Sequence, residues 1–203
     1  MKKNKISKNW VNKHRRDIYV RKSKIEGYRS RAIYKLKEID EKFKIILNGI
    51  NIADLGSAPG SWSQYLSEKS KNSKILSIDL KEVNKIDNVH HLIGDFMEEK
   101  NQAVIINFFG NKIDLVVSDM AVNTTGNKNL DSLVTGELSI EAMNFSLKIL
   151  KKNGIFVSKI FMGSSFNEIV DSAKKNFKEF HVYKPPSSRK ESKENFIICK
   201  NLR

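Results

Sequence analysis

The sequence is poor in the residues that build disulfide frameworks, metal centres and low-complexity chains. It has one cysteine, Cys199, with three prolines and ten glycines in 203 residues. A single cysteine cannot form an internal disulfide, and no Cys/His spacing resembles a zinc site, so we expect no structural metal. Uninterrupted apolar runs stay well short of the ~18 residues that a membrane span needs. The sequence therefore predicts a cytoplasmic protein with no membrane segment.

Acidic residues are scarce at the start of the chain. The whole sequence has 37 Lys and Arg against 23 Asp and Glu, a net charge of +14, and residues 1–37 hold fourteen of the basic residues but only two acidic ones. Aromatic residues are interleaved with this charge: Trp10, Tyr19, Tyr28 and Tyr34. Because cations neutralise phosphates and aromatic rings stack on unpaired bases, residues 1–29 are predicted to be a basic RNA-binding arm. A solvated tail and a transit peptide are the alternatives.

From residue 50 onward, short apolar runs alternate with helical stretches. Strands are predicted at residues 50–55, 74–80, 90–93, 113–118, 155–161, 179–183 and 195–200. Helices are predicted at residues 30–43, 62–69, 98–109, 137–150 and 166–176, the fourth of them stopping at Asn153-Gly154. Val- and Ile-rich strands that alternate with helices imply parallel βαβ units with right-handed crossovers. The fold prediction is a doubly wound α/β domain over residues 30–203.

The end of the first predicted strand carries a glycine-containing turn, DLGSAPGSW. Ligands of open α/β sheets bind at the carboxyl ends of the strands, and Gly56 and Gly60 would let the backbone approach such a ligand closely. Two glycines spaced four apart are not the Gly-x-Gly-x-x-Gly pyrophosphate fingerprint. The turn therefore disfavours a dinucleotide oxidoreductase and leaves open a cofactor that has no phosphate.

Three further strands end in carboxylates, at Asp79, Asp95 and Asp119. A carboxylate at such a strand end can accept both hydroxyl groups of a ribose. The alternative is that each aspartate only caps the helix that follows it. Three acids together with the glycine turn favour a nucleoside ligand, which could also be cationic.

Six motifs carry a resemblance to a known family. They are SRAIYKLKEID (30–40), DLGSAPGSWSQY (54–65), GDF (94–96), SDMAVN (118–123), FVSKIF (156–161) and KPPSSRKESKENFII (184–198). With them the sequence resembles the FtsJ/RrmJ family of S-adenosylmethionine-dependent ribose 2′-O-methyltransferases. The resemblance implies a mostly parallel, seven-stranded Rossmann-like sheet with a last antiparallel strand. It also implies S-adenosyl-L-methionine as cofactor, bound by Gly60, Trp62, Asp79, Asp95 and Asp119.

The family's catalytic Lys-Asp-Lys-Glu tetrad matches Lys35, Asp119, Lys159 and Glu194. Methyl transfer to a ribose hydroxyl requires positioning and removal of a proton from a poor nucleophile. Lys159 lies in an apolar strand, where burial and a nearby lysine favour the neutral amine, so we expect it to be the general base. The two acids would orient the lysines. A strand-end lysine that reaches solvent and a surface glutamate are the alternatives.

The resemblance implies methylation of a uridine ribose in 23S rRNA of the large ribosomal subunit. We expect the protein to be a monomer. The alternatives are a tRNA or mRNA-cap 2′-O-methyltransferase and a non-catalytic RNA-binding assembly factor of the same fold. Two positions depart from the family motifs, since Ser61 replaces a glycine and Val122 replaces a proline. Neither departure removes a chemical group.

Overall fold

A computed structural model describes residues 17–121, 128–163 and 165–203 of the chain. The strands of its sheet are β1 (Asn51–Leu55), β2 (Lys74–Asp79), β3 (Val89–Ile93), β4 (Ile113–Ser118), β5 (Leu150–Phe161), β6 (Phe177–Tyr183) and β7 (Glu194–Leu202). The helices of the described ranges are α1 (Ile18–Ile25), α2 (Ile33–Phe43), α3 (Ser61–Lys69), α4 (Glu99–Phe109), α5 (Lys128–Ile149) and α6 (Phe166–Asn176). None of these helices is long and apolar enough to cross a membrane.

The sheet has the strand order β3-β2-β1-β4-β5-β7-β6. The first five strands in that order pair in parallel, and β7 runs antiparallel between β5 and β6. The order reverses between β1 and β4, which is where an open α/β sheet forms its ligand crevice. The predicted doubly wound, mostly parallel fold is confirmed.

Helices cover both faces of the sheet. The apolar side chains of α2 and α3 pack on one face, and those of α4, α5 and α6 pack on the other. Strand β4 shows the alternation that this requires, because Leu115 and Val117 face the first layer while Val116 faces the second. The apolar residues of β4 are fully buried on both sides of the sheet, as expected for a central parallel strand.

A buried carboxylate fixes the end of α2 against α3. Asp40 is only 5% exposed, and its Oδ1 accepts hydrogen bonds from the backbone N–H groups of Ile45 (3.1 Å) and Ile46 (2.9 Å). Its Oδ2 accepts a 3.1 Å hydrogen bond from the hydroxyl of Tyr65 on α3. Because α2 also carries Lys35, this contact helps to place a predicted catalytic residue over the sheet.

Two element boundaries differ from the sequence prediction. The helix predicted at 137–150 begins at Lys128, and the strand predicted at 155–161 begins at Leu150, so Asn153-Gly154 lies inside β5 and does not end a helix. Ile113 pairs with Leu150 whereas Leu115 pairs with Ile155, so extra residues of β5 bulge at this point. Pairing with β4 therefore outweighs the local turn preference of Asn-Gly.

Helix α1 lies in the segment that the sequence predicted only as a basic arm. Asp17 caps this helix by accepting a 3.1 Å hydrogen bond from the backbone N–H of Tyr19. The Tyr19 ring lies 5.3 Å from that of Tyr34 on α2, measured between centroids. Residues from 17 onward therefore contact the sheet domain.

Replacing Asp40 with alanine should destabilise the protein. The change leaves two backbone N–H groups and one hydroxyl group without their acceptor, which should lower the free energy of unfolding by about 3 kcal/mol. Urea unfolding of Asp40→Ala measures the loss, with Glu41→Ala as the control because Glu41 is exposed on the same helix. Equal stabilities for the two variants would contradict this role of Asp40.

Candidate active site

The carboxyl ends of β1, β2, β3 and β4 surround a cavity of about 560 Å³. Its lining residues are Gly56, Ala58, Ile78, Asp79, Leu80, Lys81, Gly94, Asp95, Phe96, Met97, Asp119, Met120, Ala121 and Leu138. Four residues predicted to bind a cofactor are therefore brought together here: Gly56, Asp79, Asp95 and Asp119. The volume falls within the range of small-molecule sites, about 300–1,000 Å³.

Gly56 directly follows β1 and lies against Met120, which follows the end of β4. Its φ of +78° falls in the left-handed region, and a Cβ built on it would come within 2.4 Å of Met120 Cγ and 2.9 Å of Met120 Cα. No larger side chain fits without moving the backbone of Met120. The glycine thus keeps the crevice between these strands open on the side of the cavity.

Asp79 and Asp95 support the loops of the cavity as well as lining it. The carboxylate of Asp79 accepts 2.9 Å hydrogen bonds from the backbone N–H groups of Ala58 and Lys81. Asp95 Oδ1 accepts a 2.9 Å bond from the backbone N–H of Met97. A carboxylate has about four lone-pair sites, so these turns leave acceptor capacity for a ligand. The capping role and the ligand-binding role are compatible at both positions.

Two of the predicted cofactor residues do not line this cavity. Trp62 is 2% exposed, its indole N–H donates to the Ala32 carbonyl oxygen at 2.8 Å, and its ring lies 5.8 Å from the Phe196 ring. Gly60 precedes α3 with φ +103°, and a Cβ there would meet Arg29 Nη1 at 2.6 Å. The Trp62 side chain thus ties α3 to α2, and only its backbone N–H, in the first turn of α3, is suited to a ligand contact.

Asp54 is a buried carboxyl near the end of β1, just before the glycine-containing turn. It is 1% exposed, its Oδ2 accepts a 2.5 Å hydrogen bond from Ser63 Oγ, and its Oδ1 has no partner among the described residues. Burial raises the pKa of Asp54 to about 7, with smaller contributions from the negative charges of Asp119 and Asp79, while the Ser63 hydrogen bond opposes the shift. The proton of this carboxyl is therefore held until near neutral pH.

The four residues of the predicted tetrad meet at the same edge of the sheet. Lys159 Nζ lies 2.9 Å from Asp119 Oδ1 and 2.6 Å from the Asp119 carbonyl oxygen. Lys35 Nζ lies 3.7 Å from Asp119 Oδ1 and 2.8 Å from Glu194 Oε2. Lys159 is 5% exposed, so it does not extend to solvent as a strand-end lysine commonly does. Glu194, likewise, is an ion-pair partner and not an isolated surface acid.

Strand register explains why residues so distant in sequence meet. Ser118 of β4 pairs with Ser158 of β5. The residues that follow them, Asp119 and Lys159, therefore lie side by side where β4 ends. Strand β7 runs antiparallel to β5, so its first residue, Glu194, pairs with Phe161 at the same edge. Helix α2 then brings Lys35 across this edge from one face of the sheet.

The charges of the tetrad stabilise one another. Burial alone would lower the pKa of Lys35, but the carboxylates of Asp119 and Glu194 outweigh that effect and raise it. Burial alone would raise the pKa of Asp119, but the ammonium groups of Lys159 and Lys35 lower it below its ordinary value. Lys35 is therefore a firmly charged ammonium group, and Asp119 a firmly charged carboxylate.

The sequence did not single out the apolar residues of the cavity. Leu80 and Met97 are 69% and 44% exposed, and with Leu138 they line the cavity. Leu80 directly follows Asp79, and Met97 lies two residues after Asp95. Their position next to the strand ends could have identified them from the sequence.

No cluster of three or more His, Cys, Asp and Glu suited to a metal occurs in the described ranges. Val122 lies outside those ranges.

Comparison with known proteins gives a consistent result. The profile of the FtsJ-like methyltransferases matches residues 28–202. A Pelagibacter ubique protein named ribosomal RNA large subunit methyltransferase E is 62% identical over 203 residues, with full coverage of both chains. A Rickettsia akari protein of the same name is 46% identical, covering 96% of this chain and 88% of that one. A crystal structure from Plasmodium falciparum, named as a ribosomal RNA methyltransferase, superposes with a TM-score of 0.77 at 33% identity and covers 86% of this chain and 98% of its own.

Replacing Asp54 with asparagine should flatten the pH dependence of stability. A raised pKa in the folded state means that the folded protein binds this proton more tightly than the unfolded chain, so its contribution falls as pH rises from about 4 to 7. From pH 5 to pH 8, the free energy of unfolding of Asp54→Asn should rise relative to wild type by about 2 kcal/mol. Urea unfolding at each pH measures it, with the exposed Asp87→Asn as control. Parallel pH curves for wild type and Asp54→Asn would contradict the assignment.

Proposed function

The chain belongs to the family of FtsJ-like methyltransferases, and we propose that it transfers a methyl group from S-adenosyl-L-methionine to the ribose 2′-OH of a uridine in 23S rRNA. The observation that carries this proposal is the position of Asp119. This residue lines the cavity and also holds both lysines of the tetrad. A cofactor site and a site for proton transfer therefore share one wall.

The cavity fits the chemistry of S-adenosylmethionine. The cofactor combines a nucleoside with two positive charges, on its sulfonium and ammonium groups, and one carboxylate. Asp79 is suited to accept hydrogen bonds from the ribose hydroxyls, Leu80 and Met97 to contact the base, and the negative charge of Asp119 to favour the cationic end. When bound, the cofactor supplies an electrophilic methyl group. Gly60 and Trp62 would contribute through their backbone at the start of α3.

The geometry of Lys159 supports its role as general base. A neutral amine has two N–H donors and one lone pair. The backbone carbonyl oxygen of Asp119, 2.6 Å from Nζ, and its Oδ1, 2.9 Å from Nζ, each accept a hydrogen bond. With both donors engaged, the lone pair of the neutral amine is directed away from Asp119 and is available for the 2′-OH proton. Lys35, charged and bound to Glu194, holds Asp119 from the other side.

RNA as the substrate is supported by charge and by the relatives. Exposed cations flank the tetrad on the loop between β6 and β7, at Lys184, Lys190 and Lys193. Residues 1–16 add seven basic residues and no acidic ones. The relatives named above act, by their names, on large-subunit ribosomal RNA. We propose the large ribosomal subunit as the substrate of a cytoplasmic monomer, with residues 1–29 as its RNA-binding arm.

Removing the Lys159 amine should stop methyl transfer without stopping cofactor binding. A positioned base contributes about 10²–10⁴-fold, so Lys159→Ala should lower kcat by at least 10²-fold. Transfer of labelled methyl groups to purified large subunits measures turnover, and calorimetry measures the cofactor Kd. Lys152→Ala is the matched control, because Lys152 is exposed on the same strand. Turnover of Lys159→Ala close to that of the control would remove Lys159 from the base role.

Deleting residues 1–16 should weaken RNA binding and reduce its dependence on salt. Each cation that contacts a phosphate steepens the salt dependence of binding, and this segment carries seven of them. Titration of the RNA at several salt concentrations should give a smaller slope for the truncated protein. Its cofactor Kd should match that of the full chain. An unchanged slope would show that the segment does not contact RNA.

A further inference from the structure

One face of α2 is attached to the loop that precedes β7. Lys35 and Glu38 lie along one side of α2, and Arg31 lies in the turn that precedes the helix, four residues before Lys35. Lys35 pairs with Glu194, the first residue of β7. The other two contact Ser187, in the 184–193 loop. Along the sequence, the Lys35–Glu194 ion pair thus lies between the Arg31–Ser187 and Glu38–Ser187 contacts.

Glu38 binds the loop with a single carboxylate oxygen. Its Oε2 accepts hydrogen bonds from the backbone N–H of Ser187 at 2.9 Å and from the Ser187 hydroxyl at 2.7 Å. Ser187 is only 1% exposed. Two donors from one buried residue fix both the position and the orientation of the loop at this point.

Arg31 binds the same residue from the other side. Its guanidinium donates to the Ser187 carbonyl oxygen and pairs with the Asp17 carboxylate. Asp17 also lies 3.6 Å from Arg189 Nε, so the loop is connected to the start of α1 as well. The backbone of Ser187 is therefore engaged at both its N–H and its carbonyl group.

The next residue transmits this attachment to the tetrad. Ser188 is 5% exposed, and its hydroxyl donates a 2.8 Å hydrogen bond to Glu194 Oε1. Glu194 Oε2 accepts from Lys35 Nζ at 2.8 Å. One oxygen of Glu194 is thus oriented by the loop, and the other orients Lys35. A continuous series of contacts runs from Glu38 through Ser187 and Ser188 to Glu194 and Lys35.

We propose that Glu38 and Ser188 are positioning residues of the methyl transfer, which hold the Glu194 carboxylate in the orientation that pairs it with Lys35. The inference rests on the proposed function for its effect on turnover. Exposed cations of the same loop, Lys184, Lys190 and Lys193, are suited to phosphates. RNA bound to this loop would therefore act directly on the segment that orients Glu194.

The effect on Lys35 separates positioning from simple support of the fold. The groups that face its ammonium are the carboxylates of Asp119 and Glu194 and the guanidinium of Arg31. Glu194 raises the pKa of Lys35, both by its charge and by its hydrogen bond. If the Ser188 hydroxyl is removed and Glu194 turns away, the pKa of Lys35 falls. Turnover that needs charged Lys35 would then be lost at a lower pH.

The test compares wild type with Ser188→Ala, Glu38→Ala, Glu38→Gln and Glu41→Ala, using labelled methyl transfer to large subunits. Ser188→Ala removes one hydrogen bond to a carboxylate and Glu38→Ala removes two, so each variant should lower kcat about tenfold or more. The alkaline limb of their pH–rate profiles should move to lower pH, with the cofactor Kd unchanged. Glu38→Gln should retain activity, since an amide oxygen accepts the same two hydrogen bonds. Glu41→Ala, altered at an exposed position of α2, should behave as wild type.

A readout independent of turnover completes the test. NMR titration of the Lys35 side chain in the cofactor-free protein should show a lower pKa in Ser188→Ala than in wild type. An unchanged Lys35 titration with unchanged kcat in Ser188→Ala would overturn the positioning role. A lower Lys35 pKa in Ser188→Ala, found together with a wild type that transfers no methyl group, would contradict the proposed function but would still show that Ser188 orients Glu194 toward Lys35. If Glu38→Ala fails to fold, Ser188→Ala decides, because it removes a single hydroxyl group.

Discussion

The candidate active site depends on the carboxylate of Asp119, which lies between two buried lysines. Removing one member of a buried ion pair commonly costs about 3–5 kcal/mol, because the remaining charge has no compensation. Lys159 and Lys35 both approach Asp119, and Glu194 balances the second lysine, so the group has two charges of each sign as long as Lys159 is protonated. The four residues come from α2, the end of β4, β5 and the start of β7. Electrostatic pairing therefore ties α2 to three neighbouring strands that backbone hydrogen bonds already join.

Sheet topology places that ion-pair group next to the cavity. The reversal of strand order between β1 and β4 opens the crevice, and the end of β4 supplies Asp119 to both sites. The two sites differ in charge balance. The cavity side has Asp79 and Asp95 near Asp119, whereas Asp54 below it retains its proton until near neutral pH because it is buried. An excess of carboxylates suits a cationic ligand, and a balanced tetrad suits proton transfer, so the arrangement supports both halves of the proposed reaction.

Much of this arrangement could be predicted from the sequence. The Val- and Ile-rich runs gave the strands, and βαβ rules placed Asp79, Asp95 and Asp119 at one edge of the sheet, where they are found. The tetrad required the family resemblance, because nothing local marks Lys35 or Glu194. The course of β5 through Asn153-Gly154 was missed because pairing with β4 overrides a local turn signal. The buried Trp62 side chain and the Glu38–Ser187 contact depend on how helices pack on the sheet, which periodicity does not report.

The position of the transferred methyl group tests the account most directly. Wild-type protein is incubated with methyl-labelled S-adenosylmethionine and, separately, with purified large ribosomal subunits, free rRNA and tRNA. The RNA is then digested, and the labelled nucleoside is identified by mass spectrometry. The account predicts label in large-subunit RNA, on the ribose oxygen of a single uridine. Label on a base, label confined to tRNA, or no transfer to any of these RNAs would contradict it.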